Sequence, residues 1–154
     1  MQTSASKSLS EQRPLVVGSL KLEKIRDGKV IEVRAFYNLI PTVGKALISG
    51  LLIATGTAAT HIAIGTGASG PVAGDTALTT ETHRASATRS QVTTSTTNDT
   101  AQYEVTISMS GSYDITEAGL LNSGSGGTLQ AIQNFTAVEL IPGDSIRVTW
   151  KFQV

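Results

Sequence analysis

The chain of 154 residues contains no cysteine. Disulfides, thiolate zinc sites and cysteine nucleophiles are therefore excluded. Aromatic residues are scarce, with one Trp, three Tyr and three Phe, so a core must be filled mainly by Val, Ile, Leu and Ala. Charge of either sign is sparse and balanced, 12 Lys and Arg against 12 Asp and Glu. Phosphate binding demands a basic excess on one face, so nucleic acid is not expected as a partner. Neutrality also leaves little repulsion between copies, which permits self-association. Long hydrophobic runs are missing too. The longest apolar stretch, Ala46–Ala54, is broken by Ser49 and Gly50 and is too short to span a bilayer, so no membrane partner is expected. The start, MQTSASKSLSEQRPLVV, lacks the apolar segment of a secretory signal, and synthesis in the cytoplasm is the default.

What is there is a single domain preceded by a polar arm. Residues 1–13 are Ser-rich and carry Lys7, Glu11 and Arg13, with Leu9 the one sizeable apolar side chain among them. Such a segment cannot offset its ordering entropy alone. It reads as an extended arm that orders on a neighbour, with residues 14–154 as one β-rich domain. Leu20 and Leu22 alternate with Lys21 and Glu23, and Asp27-Gly28 then signals a hairpin. On the return strand, Val30–Tyr37, Ile31, Val33 and Ala35 fall on one face and Glu32 and Arg34 on the other. Asn38–Gly56 holds one helix, centred on about residues 41–54. Pro41 suits its first turn, Val43, Leu47, Ile48, Leu51 and Leu52 form an apolar stripe, and Gly56 offers a left-handed end. Further strands are expected at His61–Gly65, Glu81–Ser95, Tyr103–Met109, Asp114–Asn122, Thr128–Val138 and Ile146–Val154, the last carrying Ile146, Val148, Trp150, Phe152 and Val154 on its apolar face. Ile141-Pro142-Gly143-Asp144 fits a type II turn. About seven or eight strands joined by short turns, with one helix, predict a mainly antiparallel β-sandwich or barrel with the helix capping one end or face.

Gly65-Thr66-Gly67-Ala68-Ser69-Gly70 matches the glycine fingerprint of dinucleotide-binding loops letter for letter. That chemistry needs a helix directly after the glycines, because the pyrophosphate sits on its N-terminal N–H groups. Here Pro71 and a loop follow, and the one helix precedes the strand. The glycines are therefore read as backbone devices for leaving a strand and turning tightly, not as a cofactor site. His61 and His83 are the two histidines. His61 reads as a half-buried structural residue. His83 lies near Glu81 and Asp75, but no third ligand or nucleophile is spaced to complete a site, and no G-x-S-x-G elbow occurs. No catalytic, cofactor or metal residue is expected, and the chain reads as a non-enzyme. The Ser/Thr run Thr93–Thr100 reads as a solvated strand end or loop.

Several pieces then stand in a recognisable order: Asn38-Leu39-Ile40-Pro41-Thr42-Val43-Gly44, His61-Ile62-Ala63-Ile64-Gly65-Thr66-Gly67, Asp75-Thr76-Ala77-Leu78 with Glu81 and Arg84, Ile115-Thr116-Glu117-Ala118-Gly119-Leu120, Gly126-Gly127-Thr128-Leu129, and Gly143-Asp144 leading to Val148-Thr149-Trp150. This set resembles small structural proteins of tailed bacteriophages and is similar to the N-terminal region of phage tail-collar fibre proteins. Leu121-Asn122 departs from the commoner Phe-Asn. The resemblance implies a virion component without enzymatic activity. Because the chain stops at Val154, where a fibre would continue into a shaft, the expectation is a capsid decoration protein. It would clamp the shell as a homo-oligomer, a trimer or another small ring, with the major capsid protein or tail proteins as partners. A small tail, neck or baseplate adaptor is the alternative. A carbohydrate- or receptor-binding module is a further one, for which exposed aromatics would be the sign.

Overall fold

The computed structural model describes residues 16–154; the arm expected over residues 1–13 lies outside them. The described elements are β1 (Val17–Arg26), β2 (Lys29–Tyr37), α1 (Thr42–Leu52), β3 (His61–Gly65), β4 (Glu81–Ser86), β5 (Thr88–Val92), β6 (Thr100–Ser108), β7 (Tyr113–Leu121), β8 (Leu129–Leu140) and β9 (Ser145–Gln153). They form a five-stranded sheet in the order β2-β1-β9-β6-β5 and a four-stranded sheet in the order β4-β3-β7-β8. Every pairing is antiparallel. The expected sandwich is therefore the fold. It has one strand more than anticipated, because the stretch read as a single strand over Glu81–Ser95 divides at Ala87. β4 pairs with β3 in one sheet and β5 with β6 in the other, so a short run of chain closes that side of the sandwich.

The core follows from alternation. Leu20 and Leu22 of β1, Tyr103 and Ile107 of β6, and Ile146, Val148, Trp150 and Phe152 of β9 point inward against Ile62, Ile64, Ile115, Ala118, Leu120, Val138 and Leu140 of the smaller sheet. Trp150 is fully buried, and its indole N–H donates to the Asn38 side-chain oxygen at 2.9 Å. Val154 lies past the end of β9 and is exposed, not part of the buried face. The hairpin β1–β2 turns at Asp27 and Gly28, both with positive φ (51° and 74°), as a two-residue hairpin turn requires. Gly143 takes φ 91° and Asp144 N–H donates to the Ile141 carbonyl at 3.0 Å, giving the anticipated turn before β9.

The helix departs from expectation at both ends. Pro41 is its N-cap in extended backbone (φ −69°, ψ 170°) and does not occupy the first turn. The reason is that Leu39, two residues earlier, is held by a β-bridge to Ile132, which keeps the chain extended up to the cap. At the other end Ala54, not Gly56, takes the left-handed conformation (φ 58°). Gly56 serves close approach: a β-carbon there would stand 3.0 Å from the Leu47 carbonyl oxygen. Of the expected stripe, Leu47 is buried beside Gly44, Val43, Ile48 and Leu51 are half-buried, and Leu52 is exposed.

A larger reversal concerns β2. Its apolar face, Ile31, Val33 and Ala35, points to solvent, while Glu32, Arg34 and Phe36 are half-buried. Phe36 stacks on Phe135 of β8 with ring centroids 5.6 Å apart. The Arg34 guanidinium donates to the Thr136 and Ala137 carbonyls. The side of the sandwich between β2 and β8 is thus bridged by side chains instead of by chain.

Candidate interaction surfaces

The glycine-rich segment packs around a carboxylate. Glu117, on β7, is fully buried. Its Oε1 accepts from Gly67 N–H at 3.0 Å and Thr80 N–H at 2.7 Å, and its Oε2 from Thr79 N–H at 2.9 Å. Burying a carboxylate is tolerable only when such donors replace water. The glycines make room for it. A β-carbon on Gly67 would lie 2.5 Å from Glu117 Oε1, and one on Gly65 would overlap the Thr80 carbonyl. Thr116 hydroxyl donates to the Gly67 carbonyl at 2.6 Å from the same strand. Gly119 makes the seat for Leu78, whose Cδ1 occupies the place a β-carbon would take. Gly70 meets nothing nearby. No φ in this segment is positive, so tight approach to Glu117 and Thr80, not turning, is what Gly65 and Gly67 provide. Two of the segment's N–H groups are used inward, Thr66 N–H on the Thr80 carbonyl at 3.0 Å and Gly67 N–H on Glu117.

The remaining candidates are placed as follows. His61 is half-buried, 2.7 Å from Thr60 Oγ1 through Nδ1. His83 stacks edge-on against Tyr113 at 4.8 Å. The acids expected near His83 are engaged elsewhere: Glu81 receives both arms of Arg84 at 2.6–2.7 Å, and Asp75 accepts from Val72 N–H at 2.8 Å. Arg84 also donates to the Ser123 and Gly126 carbonyls, fastening the turn between β7 and β8 to β4. Among the described residues no three His, Asp or Glu side chains converge on a metal-sized site. In the Thr93–Thr100 run, Asp99 gathers the backbone N–H groups of Thr94, Ser95 and Thr96 at 2.8–3.0 Å. The Thr96 and Thr94 donors hold its carboxyl well below the usual carboxylate range. This run is a folded loop, not a loose strand end. Glu117 and Asp99 were not singled out as organising residues in the sequence; a lone acid opposite a glycine-rich or hydroxyl-rich stretch was the available signal.

Two open surfaces remain. A cleft of about 500 Å³ lies between α1 and the adjoining ends of β5, β6 and β9, with Ile48, Leu51 and Phe152 on its walls. Gln130 also lines it, and its buried Oε1 has no hydrogen-bond partner among the described residues. That size accommodates an apolar side chain or a small ligand. The second surface is the outer face of the five-stranded sheet, a shallow groove floored by Ser19, Ala35 and Lys151. Of the aromatic side chains only Tyr37, at its rim, is exposed (80%). One ring alone does not make the aromatic platform that a sugar-binding module would show.

The contacts of Glu117 and Arg84 thus hold the glycine-rich segment and the β7–β8 turn against the smaller sheet. The family described as phage tail-collar fibre protein, N-terminal, matches residues 33–139. The chain belongs to the phage tail-collar fibre family. It is thus a structural component of a phage virion. The match favours the tail and fibre reading over the capsid-decoration reading. No curated protein and no solved structure matches the chain. The tail-collar fibre match begins within β2 and ends within β8. It takes in β3, β4, β7 and all but the last residue of β8, and with them the Glu117 and Arg84 contacts. β9, the central strand of the larger sheet, and its neighbour β1 lie outside it. No described helix of this tail-collar fibre domain is long and apolar enough to cross a membrane.

Proposed function

We propose that this chain is a tail-associated structural module of the phage, a collar or fibre component that acts by binding other virion proteins and copies of itself, with no catalytic role. The observation that carries the reading is the family match over residues 33–139. The structure adds support, since the motif residues Glu117 and Arg84 are engaged in holding loops to the smaller sheet. The trimer expected from the resemblance is retained as one arrangement of the copies. The arm of residues 1–13 is proposed to strengthen attachment to neighbours. Labelling purified particles with a gold-tagged antibody against this chain tests the placement. Label confined to the neck, tail or fibres is expected; label spread over the capsid shell would restore the decoration reading and refute this one. Particles carrying a chain without residues 1–13 should shed it at lower temperature than particles carrying the full chain.

A further inference from the structure

The cleft between α1 and the ends of β5, β6 and β9 lies where Val16 leads into β1 and Val154 follows β9, and both of these residues line it. Its walls are largely apolar, with Ile48, Leu51 and Phe152 among them, yet two polar side chains that line it lack partners. The buried Gln130 Oε1 accepts no hydrogen bond among the described residues. The Arg89 guanidinium, on β5, forms no ion pair among them. A buried acceptor and an unpaired cation beside apolar walls suit an occupant that offers an N–H, a carboxylate and an apolar side chain. An extended segment of chain offers an N–H at every residue except proline.

We propose that this cleft is the seat of the N-terminal arm of a second copy, with Leu9 between α1 and Phe152, a backbone N–H of the arm on Gln130 Oε1, and Glu11 against Arg89. The inference names the seat of the arm that the functional reading attaches to neighbours, and it rests on that part of the reading. Leu9 is the one sizeable apolar side chain of residues 1–13, and Glu11 is the one acid there. They stand two positions apart, so extended backbone projects both from the same side. One segment thus carries the apolar group and the carboxylate in a spacing that a strand-like arm can present together. The donor is a second copy because the arm joins β1 at the wall of its own cleft, at Val16. To enter that cleft Leu9 would have to turn back within residues 10–15, which contain no Gly, Asn or Asp. Pro14 also restricts Arg13 to extended backbone. Extended, the chain from Val16 to Leu9 spans roughly 23 Å, enough to reach a neighbour. Each copy then gives one arm and receives another. Such a head-to-tail contact closes into a ring when the rotation between copies suits, and the expected trimer is one such ring.

Sedimentation of the full chain over a concentration series, beside chains altered on each side of the contact, tests the seat. The unaltered chain is expected to associate. Leu9→Asp should weaken association roughly ten- to a hundred-fold, the worth of burying one leucine, with an unchanged circular dichroism spectrum. Arg89→Glu should weaken it about five-fold, and Glu11→Arg added to the same chain should restore it. The absence of native cysteine allows a direct reading of which copy gives the arm. Chains carrying Leu9→Cys, mixed with chains carrying Leu51→Cys, should cross-link to them under mild oxidation. Mixed instead with chains carrying Thr106→Cys, at an exposed position of β6 outside the cleft, they should not. A chain that stays monomeric, or association that survives deletion of residues 1–13, would show that the arm does not join copies at all. Association lost on that deletion but unmoved by Arg89→Glu, with no link between Leu9→Cys and Leu51→Cys chains, would keep the arm's role and refute this seat. A chain with both substitutions that closes only on itself would put the arm in its own cleft. Each of these three outcomes overturns the proposal.

Discussion

Glu117 organises the glycine loop through three backbone N–H groups, without an ion-pair partner among the described residues. In Glu117→Gln one acceptor oxygen becomes an NH₂ group, which cannot accept from the N–H groups that face it. A buried donor left unpaired costs about 1–3 kcal/mol. The variant should unfold earlier by that amount, and hydrogen exchange at Gly67, Thr79 and Thr80 should accelerate before the rest of β7 opens. Uniform acceleration across both sheets would show instead that Glu117 does not govern the loop separately. A second expectation concerns pH. Glu23 on β1 is held at about 2, below its ordinary 4.5, first by the Arg147 side-chain hydrogen bond and then by Lys21, against the opposing effect of burial. A carboxylate depressed in the fold stabilises it fully above the ordinary value, and this contribution is lost as pH falls through the folded one. Asp144, bound by Arg26, and Asp99 are shifted in the same direction. The chain should therefore lose stability as pH falls from about 4.5 towards about 2. Glu23→Gln should be less stable near neutrality and should show a shallower acid decline in urea titrations. Parallel curves for the two proteins would refute the assignment to Glu23.

At the scale of an element, α1 is kept by contact more than by propensity. Gly44 faces β8, and a β-carbon there would overlap the Gln130 carbonyl oxygen. Intrinsic propensity alone predicts that Gly44→Ala stabilises a helix by about 1 kcal/mol. The packing predicts the reverse sign, because the clash is with backbone and α1 must lift from β8. Denaturant unfolding decides between them: lower stability is expected, and a gain would show that the contact relaxes. The same logic separates the glycines around the helix. Gly44 and Gly56 permit close approach, whereas Ala54 bears the left-handed residue after the helix without glycine's freedom.

For the whole molecule, the larger sheet depends on strands outside the family match. β9 is central in that sheet, and its Trp150 is buried against both sheets while hydrogen-bonded to Asn38. Trp150→Ala should lower stability by about 3–5 kcal/mol, a large part of the roughly 5–15 kcal/mol of a small domain. The variant is expected to melt far earlier or to aggregate, and the native tryptophan emission should be blue-shifted and resistant to quenchers. Ready quenching by a soluble quencher would place Trp150 outside the core. Because β9 joins β1 to β6, the loss should be felt across the larger sheet.

Alternation along β1, β6 and β9 was sufficient to find those strands and most of the buried face, because a period of two separates the two sides of a strand from sequence alone. Asp27-Gly28 and Pro142-Gly143 placed their turns for the same local reason: positive φ favours few residues. Nothing local told which side of β2 faces inward. That was decided by partners about a hundred positions away, the Phe135 ring and the β8 carbonyls that take Arg34. The division at Ala87 was equally hidden, since Glu81–Val92 has no clear alternation and only the two sheets separate its halves. The motif around Gly65 and Gly67 was visible, and so was the lack of a helix directly after it, from Pro71 onward. Its actual purpose was not, because Glu117 lies 50 residues from Gly67 and only the folded sheet brings its carboxylate to the loop.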